Sequence, residues 1–437
     1  MRKYPFRFII VSLTALLLPA VPACRRQPRP NVVVIVIDTL RADRLSFYGY
    51  PKNTAPFLNS LAPKSSVFTK AYAGSSWTAP ATASIFTGLY PFQHGVIMGL
   101  LAQKRLIKKD PSIKINRIPE TVQTLPEVFK AAGYRTFGIS DNANISQRQG
   151  FQQGFDKLLN FSHRGARLIN QKLLELEREI RASPRYFLYI HYNDPHRPYK
   201  LALNEEQRSG LRVRDLKRVY DLEVDLVDRS IKELYRRLGW DRNTLIVITA
   251  DHGEEMMEKG FYGHGKSLFN TVIHVPLLFH YPGSRAVAPG RIASPVSNLD
   301  ILPTLIEILG LSRVEDLAGK DLSPLLRDPR AVPKARPIYS HLQLQRAGQP
   351  DFVSKATVFG DFKFIYQSGD ESSLFFDLKS DPGETSNVYA RSQRHARQLA
   401  ASFFNFERSC RRFNPEYVGI QLDKKSIEHL KSLGYIQ

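Results

Sequence analysis

The stretch Asn31-Val32-Val33-Val34-Ile35-Val36-Ile37-Asp38-Thr39 is a continuous β-branched run that stops at an aspartate. Such side chains are stiff and pack well on a pleated surface, so the run predicts a strand. Its lack of polar alternation predicts burial on both faces, as in a parallel sheet covered by helices. Two further stretches have the same character: Thr244-Leu245-Ile246-Val247-Ile248-Thr249, followed by Asp251-His252, and Tyr186-Phe187-Leu188-Tyr189-Ile190-His191. Each carries polar residues at its carboxyl end. Ligands of open α/β sheets bind just beyond those ends, so three separate strands point to one crevice.

Helical patterns lie between the strands. Thr121 to Ala132 has apolar helical spacing and stops at Gly133, and Val219 to Leu238 is amphipathic and stops at Gly239. Strands alternating with helices predict an α/β fold with a doubly wound, mostly parallel sheet. After about Pro333 the character changes. Thr357-Val358-Phe359, Phe362 to Tyr366 and Leu374 to Leu378 read as short antiparallel strands joined by Gly/Asp turns, and Arg391 to Phe406 as a helix. The expected organisation is a signal segment at 1–23, a linker at 24–30, a catalytic domain at 31–332 and a small C-terminal α+β subdomain at 333–437. The basic run Lys104 to Lys109 reads as an exposed loop, equally well a solvated charge run or a substrate-facing strip.

The formal net charge of +21 gives a surface field that attracts polyanions or acidic lipid headgroups and steers anionic substrates. Charge alone does not imply nucleic acid. With no zinc-knuckle, helix-turn-helix or aromatic RNA-binding pattern, no nucleic-acid partner is expected. At the amino end, Arg2, Lys3 and Arg7 precede the apolar run Phe8 to Leu18, which Pro19 and Pro22 break. That run is short of the roughly 20 residues a membrane span needs, so it predicts a cleaved secretion signal. Val21-Pro22-Ala23-Cys24 resembles a bacterial lipobox, which would make Cys24 the lipidated first residue of a periplasmic or cell-envelope lipoprotein anchored to the membrane. The alternative is an ordinary signal peptide with an incidental cysteine. Cys410 is then the last thiol, and no intramolecular disulfide is expected.

Asp38, Asp251 and His252 are metal-ligand types at sheet carboxyl ends. A lone aspartate after a strand is commonly only a helix cap. Asp251-His252-Gly253-Glu254 says more, because adjacent Asp and His after a buried strand lose their hydration with no compensating partner unless something is bound. One divalent ion supplies that partner.

These residues are also where the chain resembles the sulfatase branch of the alkaline phosphatase superfamily. The resemblance runs through Ile37 to Asp43, Ser76-Trp77-Thr78-Ala79-Pro80-Ala81-Thr82 continuing to Pro91, His94-Gly95, and Gly150-Phe151 with Gly154-Phe155-Asp156. It continues through Asp194-Pro195-His196-Arg197-Pro198-Tyr199, Asp251-His252-Gly253-Glu254, Gly263-His264-Gly265-Lys266, Val275-Pro276-Leu277, Asp300 to Thr304, Asp381-Pro382-Gly383-Glu384 and Leu430 to Tyr435.

The resemblance implies that Asp38, Thr78, Asp251 and His252 surround one divalent cation, with Thr78 at the nucleophile position. There a sulfatase has the cysteine that becomes formylglycine, a maturation that threonine cannot undergo. It also implies that His196 contacts the ester and protonates the leaving oxygen, and that His264 or Lys266 anchors the transferring oxyanion. Asn142 is a candidate substrate contact, because Gly138 to Ala143 lacks the lysine and histidine that hold sulfate in arylsulfatases. Thr39 stands where many sulfatases have a second metal-binding aspartate, His252 where arylsulfatases often have asparagine, and Thr82 where the motif ordinarily has arginine. The mixed nitrogen and oxygen donors make manganese or zinc better suited than in a calcium sulfatase, with calcium still open.

The expected activity is hydrolysis of a phosphate or phosphonate-type ester, phosphodiesters included, through a covalent phosphothreonine at Thr78. Sulfate-ester hydrolysis at the same site is the alternative, and transfer of a phosphoryl headgroup to an acceptor alcohol is another. A pseudoenzyme that binds anionic glycans or lipids is the reading of a different class. Retention of the ligand set Asp38, Thr78, Asp251 and His252 favours catalysis over it.

Overall fold

In the computed structural model the described residues are 29–109, 115–199, 202, 215–368, 373–414 and 416–418. The expected signal segment, Cys24 and the terminal Leu430 to Tyr435 motif lie outside the described residues. Among those described, no helix is long and apolar enough to cross a membrane.

Nine strands among the described residues form the main sheet: β1 (Asn31–Ile37), β2 (Ser66–Tyr72), β3 (Arg135–Ser140), β4 (Lys157–Asn160), β5 (Tyr186–Tyr192), β6 (Thr244–Thr249), β7 (His274–His280), β8 (Gly290–Ile292) and β9 (Val296–Ser297). Their order is β8-β2-β7-β6-β1-β5-β3-β4, with β9 also beside β2. Only β7 runs antiparallel to its neighbours. The β-branched run of β1 lies between β5 and β6, with Val36 opposite His191 on one side and Thr249 on the other. Val32 to Val36 are wholly buried, as continuous apolar patterning requires. This register brings the carboxyl ends of β1, β5 and β6 together.

The main helices are α1 (Thr78–Thr87), α2 (Leu100–Lys109), α3 (Leu125–Ala131), α4 (Ala166–Glu175), α5 (Leu216–Arg237), α6 (Ile301–Leu309) and α7 (Gln393–Ser409). α1 packs against α3 and α6, and α4 against α5. α3 begins later than its apolar spacing suggests because Thr124 and Glu127 form a capping box, with the Glu127 carboxylate accepting from both the amide and the hydroxyl of Thr124. The expected basic loop at Lys104 to Lys109 is instead the second half of α2. Leu100, Gln103 and Lys104 share one helix face and are buried, and burial of that face overrides the polar composition of the segment.

β10 (Ile338–Arg346), β11 (Gln349–Phe359), β12 (Phe362–Gln367) and β13 (Leu374–Asp377) form a separate antiparallel sheet in that order, covered by α7. The long β10–β11 hairpin turns through Ala347-Gly348, with Gly348 at φ 67°. The small sheet is fastened to the large one by backbone contact, His341 N donating to Gly74 O at 2.9 Å, and by the Ser340 hydroxyl donating to Ala73 O at 2.7 Å.

Candidate active site

Asp38 follows β1 and Asp251 follows β6, so the parallel pairing of these strands sets the two carboxylates side by side. Both are wholly buried, as is His252. The His252 Nε2 lies 3.6 Å from Asp38 Oδ1 and 3.6 Å from Asp251 Oδ2. Those same two carboxylate oxygens are buried without a hydrogen-bond partner. The other ring nitrogen, Nδ1, is 2.8 Å from the Gly253 carbonyl, which can only accept, so Nδ1 carries the proton and Nε2 presents its lone pair to the carboxylates. One imidazole and two carboxylates whose ligand atoms all lie within 4.8 Å of one another fit a divalent ion.

Electrostatics points the same way. Burial works against charge on Asp38, yet the hydrogen bond from His191 and the fields of His196, His252 and His191 hold its carboxyl below the usual range. Burial, then the charge of Asp38, pushes Asp251 well above it. A bound cation reverses that second effect, because its charge favours both carboxylates. The turn after β6 needs glycine: a Cβ on Gly253 would stand 2.2 Å from Thr271 O.

Thr78 is the first residue of α1, after Trp77 in extended conformation. Its Oγ1 is 3.4 Å from Asp38 Oδ2, 3.4 Å from His252 Nε2 and 3.4 Å from Asn142 Nδ2. The helix start turns free amides and the positive end of the dipole toward charge developing there. Asn142, at the carboxyl end of β3, donates its Nδ2 to Asp38 Oδ2 at 2.6 Å and to Asn193 Oδ1 at 2.8 Å. Both amide hydrogens are thereby engaged within the cluster, which orients Asp38. Thr39 turns its hydroxyl away, donating to the Asp38 carbonyl at 2.7 Å.

Of the remaining candidates, His196 and His264 stand beside this cluster. The His264 ring stands 4.5 Å from that of His252 and 4.8 Å from that of half-buried His196. His264 Nδ1 is 2.7 Å from Glu254 Oε1, which turns Nε2 away from Glu254. Burial, then the neighbouring His252, lowers the His264 pKa, and burial raises that of Glu254. Lys266 is exposed, so of the two anchors left open by the sequence, His264 is the one packed against the cluster.

The sequence reading missed three participants. His191 ends its strand in the sequence pattern, but its Nε2 lies 3.3 Å from Asp38 Oδ2 and its Nδ1 2.9 Å from the Tyr189 hydroxyl. Asn193 holds Asn142, and Glu254 holds His264. A histidine at the end of an otherwise apolar strand was the available signal for the first. Asp194 is different: it is 1% exposed and accepts from the Ala166 amide at 2.9 Å, capping α4.

A central parallel strand ending at a two-carboxylate, one-imidazole cluster that faces a hydroxyl at a helix start defines the class of alkaline phosphatase-like ester hydrolases. The family model for sulfatases matches residues 30–311, more than half of the chain, so the chain belongs to the sulfatase family and is an ester-bond hydrolase. A second family model, for the C-terminal region of N-sulphoglucosamine sulphohydrolase, matches residues 257–404. An ulvan-active sulfatase of Formosa agariphila is 24% identical over 416 residues, which span 84% of this chain and 78% of that protein. Among solved structures, a protein in complex with its substrate D-glucosamine-2-N,6-O-disulfate superposes with a TM-score of 0.71 at 20% identity, covering 87% of this chain and 98% of that one. The phosphonate monoester hydrolase of Agrobacterium radiobacter gives 0.68 at 20% identity, covering 87% and 96%. These superpositions show the shared fold.

Proposed function

We propose that this chain hydrolyses sulfate esters carried on an anionic carbohydrate, with Thr78 attacking sulfur. This reverses the preference for phosphate or phosphonate esters drawn from the sequence: the family match and the ulvan-active relative favour sulfate, and a structural neighbour takes a disulfated sugar. The observation that carries the mechanism is the Thr78 hydroxyl, 3.4 Å from Asp38, His252 and Asn142 at the start of α1.

In the first step the Thr78 oxygen forms a bond to sulfur as the bond to the sugar oxygen breaks. The proton lost by Thr78 equals the proton gained by the departing alcohol, so the histidine pair His196 and His264 can relay it without net change. Water then cleaves the threonine sulfate, releasing hydrogen sulfate and restoring the hydroxyl. A divalent ion held by Asp38, Asp251 and His252 beside Thr78 supplies Lewis-acid stabilisation of oxyanion charge when bound, and the mixed donor set suits manganese or zinc better than calcium. The helix start contributes preorganised positive potential of the kind that lowers such barriers most.

One observation favours a second reading, phosphate or phosphonate ester hydrolysis. A plain secondary hydroxyl offers no aldehyde hydrate, so its covalent intermediate is released by attack of water at the central atom. The discriminating experiment assays metal-loaded protein on matched aryl sulfate, phosphate monoester, phosphodiester and phosphonate substrates. Sulfate turnover leading the ranking supports the proposal, and a phosphodiester or phosphonate leading replaces it. Anion binding without turnover of any ester points to a pseudoenzyme. The basic and apolar leader ending at Cys24 supports export and lipid anchoring. Cys24→Ser should then release the protein from membranes, and an unacylated mature protein beginning at Cys24 in mass spectra would refute the anchor.

A further inference from the structure

We infer that a cavity beside Asn142 is an anion subsite, holding a second oxyanion group of a polyanionic oligosaccharide while the ester to be cut sits at Thr78. The inference rests on the sulfate-ester reading above and extends it to the substrate class. The cavity has a volume of about 620 Å³, within the range of roughly 300–1,000 Å³ typical of ligand pockets. Three cations from separate parts of the chain line it: Lys104 of α2, Arg148 in the turn after β3, and Arg164 before α4. Among the described residues no aspartate or glutamate lines it.

Ser146, Ser162 and Gln152, which line the same wall, each carry a side-chain oxygen buried without a hydrogen-bond partner. Ser162 is 9% exposed. Buried polar atoms are ordinarily satisfied, so each such atom in a cavity wall indicates a missing partner. A lining of serine, asparagine and glutamine residues beside three cations matches the chemistry of a sugar ring carrying sulfate or carboxylate. The cavity adjoins the catalytic cluster. Ala143 in its wall follows Asn142, whose amide is 3.4 Å from Thr78 Oγ1, and Asn160, also in the wall, donates to the Asn142 carbonyl at 2.9 Å. Consecutive Cα atoms are about 3.8 Å apart, so the wall begins one residue along the chain from Asn142.

The test compares a small aryl sulfate, a monosulfated saccharide and a disulfated saccharide on the wild type and on Arg148→Ala/Arg164→Ala. Lys104 is left in place because its burial ties it to the packing of α2. With the subsite, the double variant loses about tenfold or more in kcat/KM on the disulfated saccharide through KM, and changes less than about twofold on the aryl sulfate. Equal loss on all three substrates, or none on the disulfated one, overturns the inference. Calorimetric titration of the disulfated saccharide into Thr78→Ala protein, with and without the two arginine changes, separates this from the parent reading. Weakened binding by the arginine variant with no sulfate ester turned over keeps the subsite and removes the sulfatase reading. Unchanged binding removes the subsite whichever ester is cut.

Discussion

Thr78 carries the central chemical claim, and its environment makes the claim measurable. The residue is 2% exposed, and removing its Oγ leaves Asp38, Asp251 and His252 in place. Thr78→Ala should therefore fold and bind metal while losing at least about 10³-fold in turnover, and Thr78→Ser should retain part of the rate. Near-wild-type turnover by Thr78→Ala, with no adduct on the Thr78 peptide under burst conditions, would assign the attack to water. Asp251 allows a check that does not depend on the substrate. Its unpartnered oxygen and its burial beside Asp38 predict that a divalent ion raises the melting temperature, because binding to the folded state alone stabilises it. Elemental analysis should find about one ion per chain, and Asp251→Ala should abolish both the metal and the thermal shift. Full activity in a chelated, metal-free sample contradicts this account.

At the scale of elements, the start of α4 is held by buried carboxylates. Asp141 accepts from the amides of Arg164 and Gly165, and Asp194 from that of Ala166, so two aspartates cap α4. Burial, with Glu223 and Asp141 nearby, pushes the Asp194 carboxyl up to about 8. The folded protein thus keeps a proton that the unfolded chain releases near its free value of about 4. Stability supplied by this group is complete below that free value and is lost as pH rises toward about 8. Asp194→Asn keeps an acceptor for Ala166 and cannot ionise. Denaturant midpoints at pH 5 and pH 8.5 should fall less with rising pH in the variant than in the wild type. An unchanged slope would show that Asp194 is ionised throughout.

For the whole molecule, the question is what joins the small antiparallel sheet to the catalytic sheet. Part of the answer is a buried ion pair within the C-terminal part, both of whose members bind Asn270, which lies just before β7. Lys363 of β12 and Glu384 meet at 2.6 Å with side chains 0% and 1% exposed, and Lys363 also donates to Asn270 Oδ1 at 2.9 Å. The Glu384 carboxylate in turn accepts from the Asn270 amide at 2.6 Å. Removing one partner strands the other charge in a dry interface. Lys363→Met should then cost about 3–5 kcal/mol, whereas Lys363→Met/Glu384→Gln should recover part of the loss. Denaturant unfolding of the two variants measures the difference. A single variant as stable as the wild type would show that the pair and its bonds to Asn270 do not hold this junction.

Much of the architecture was legible because it is local. The β-branched run of β1, the matching runs of β5 and β6, and the glycine stops of α3 and α5 encode element type through side-chain shape and spacing alone. The paired Asp251-His252 after a buried strand likewise announced a cation, since two adjacent polar groups cannot lose water without compensation. Local spacing misled at the start of α3 and again at α2, where a basic run became a half-buried helix because Leu100, Gln103 and Lys104 found a surface to pack on. What no local pattern carried was which side chains meet. His191 reaches Asp38 only because β1 and β5 pair in parallel with Val36 opposite His191, and Glu254 reaches His264 only because the chain returns after ten residues. Asn142 joins Asp38 across 104 positions of sequence. Such meetings depend on register and crossover connections, which bring distant residues together at an entropy cost repaid only by the completed core. Composition and periodicity determined the elements and named the chemistry, and the tertiary structure decided the geometry in which that chemistry is held.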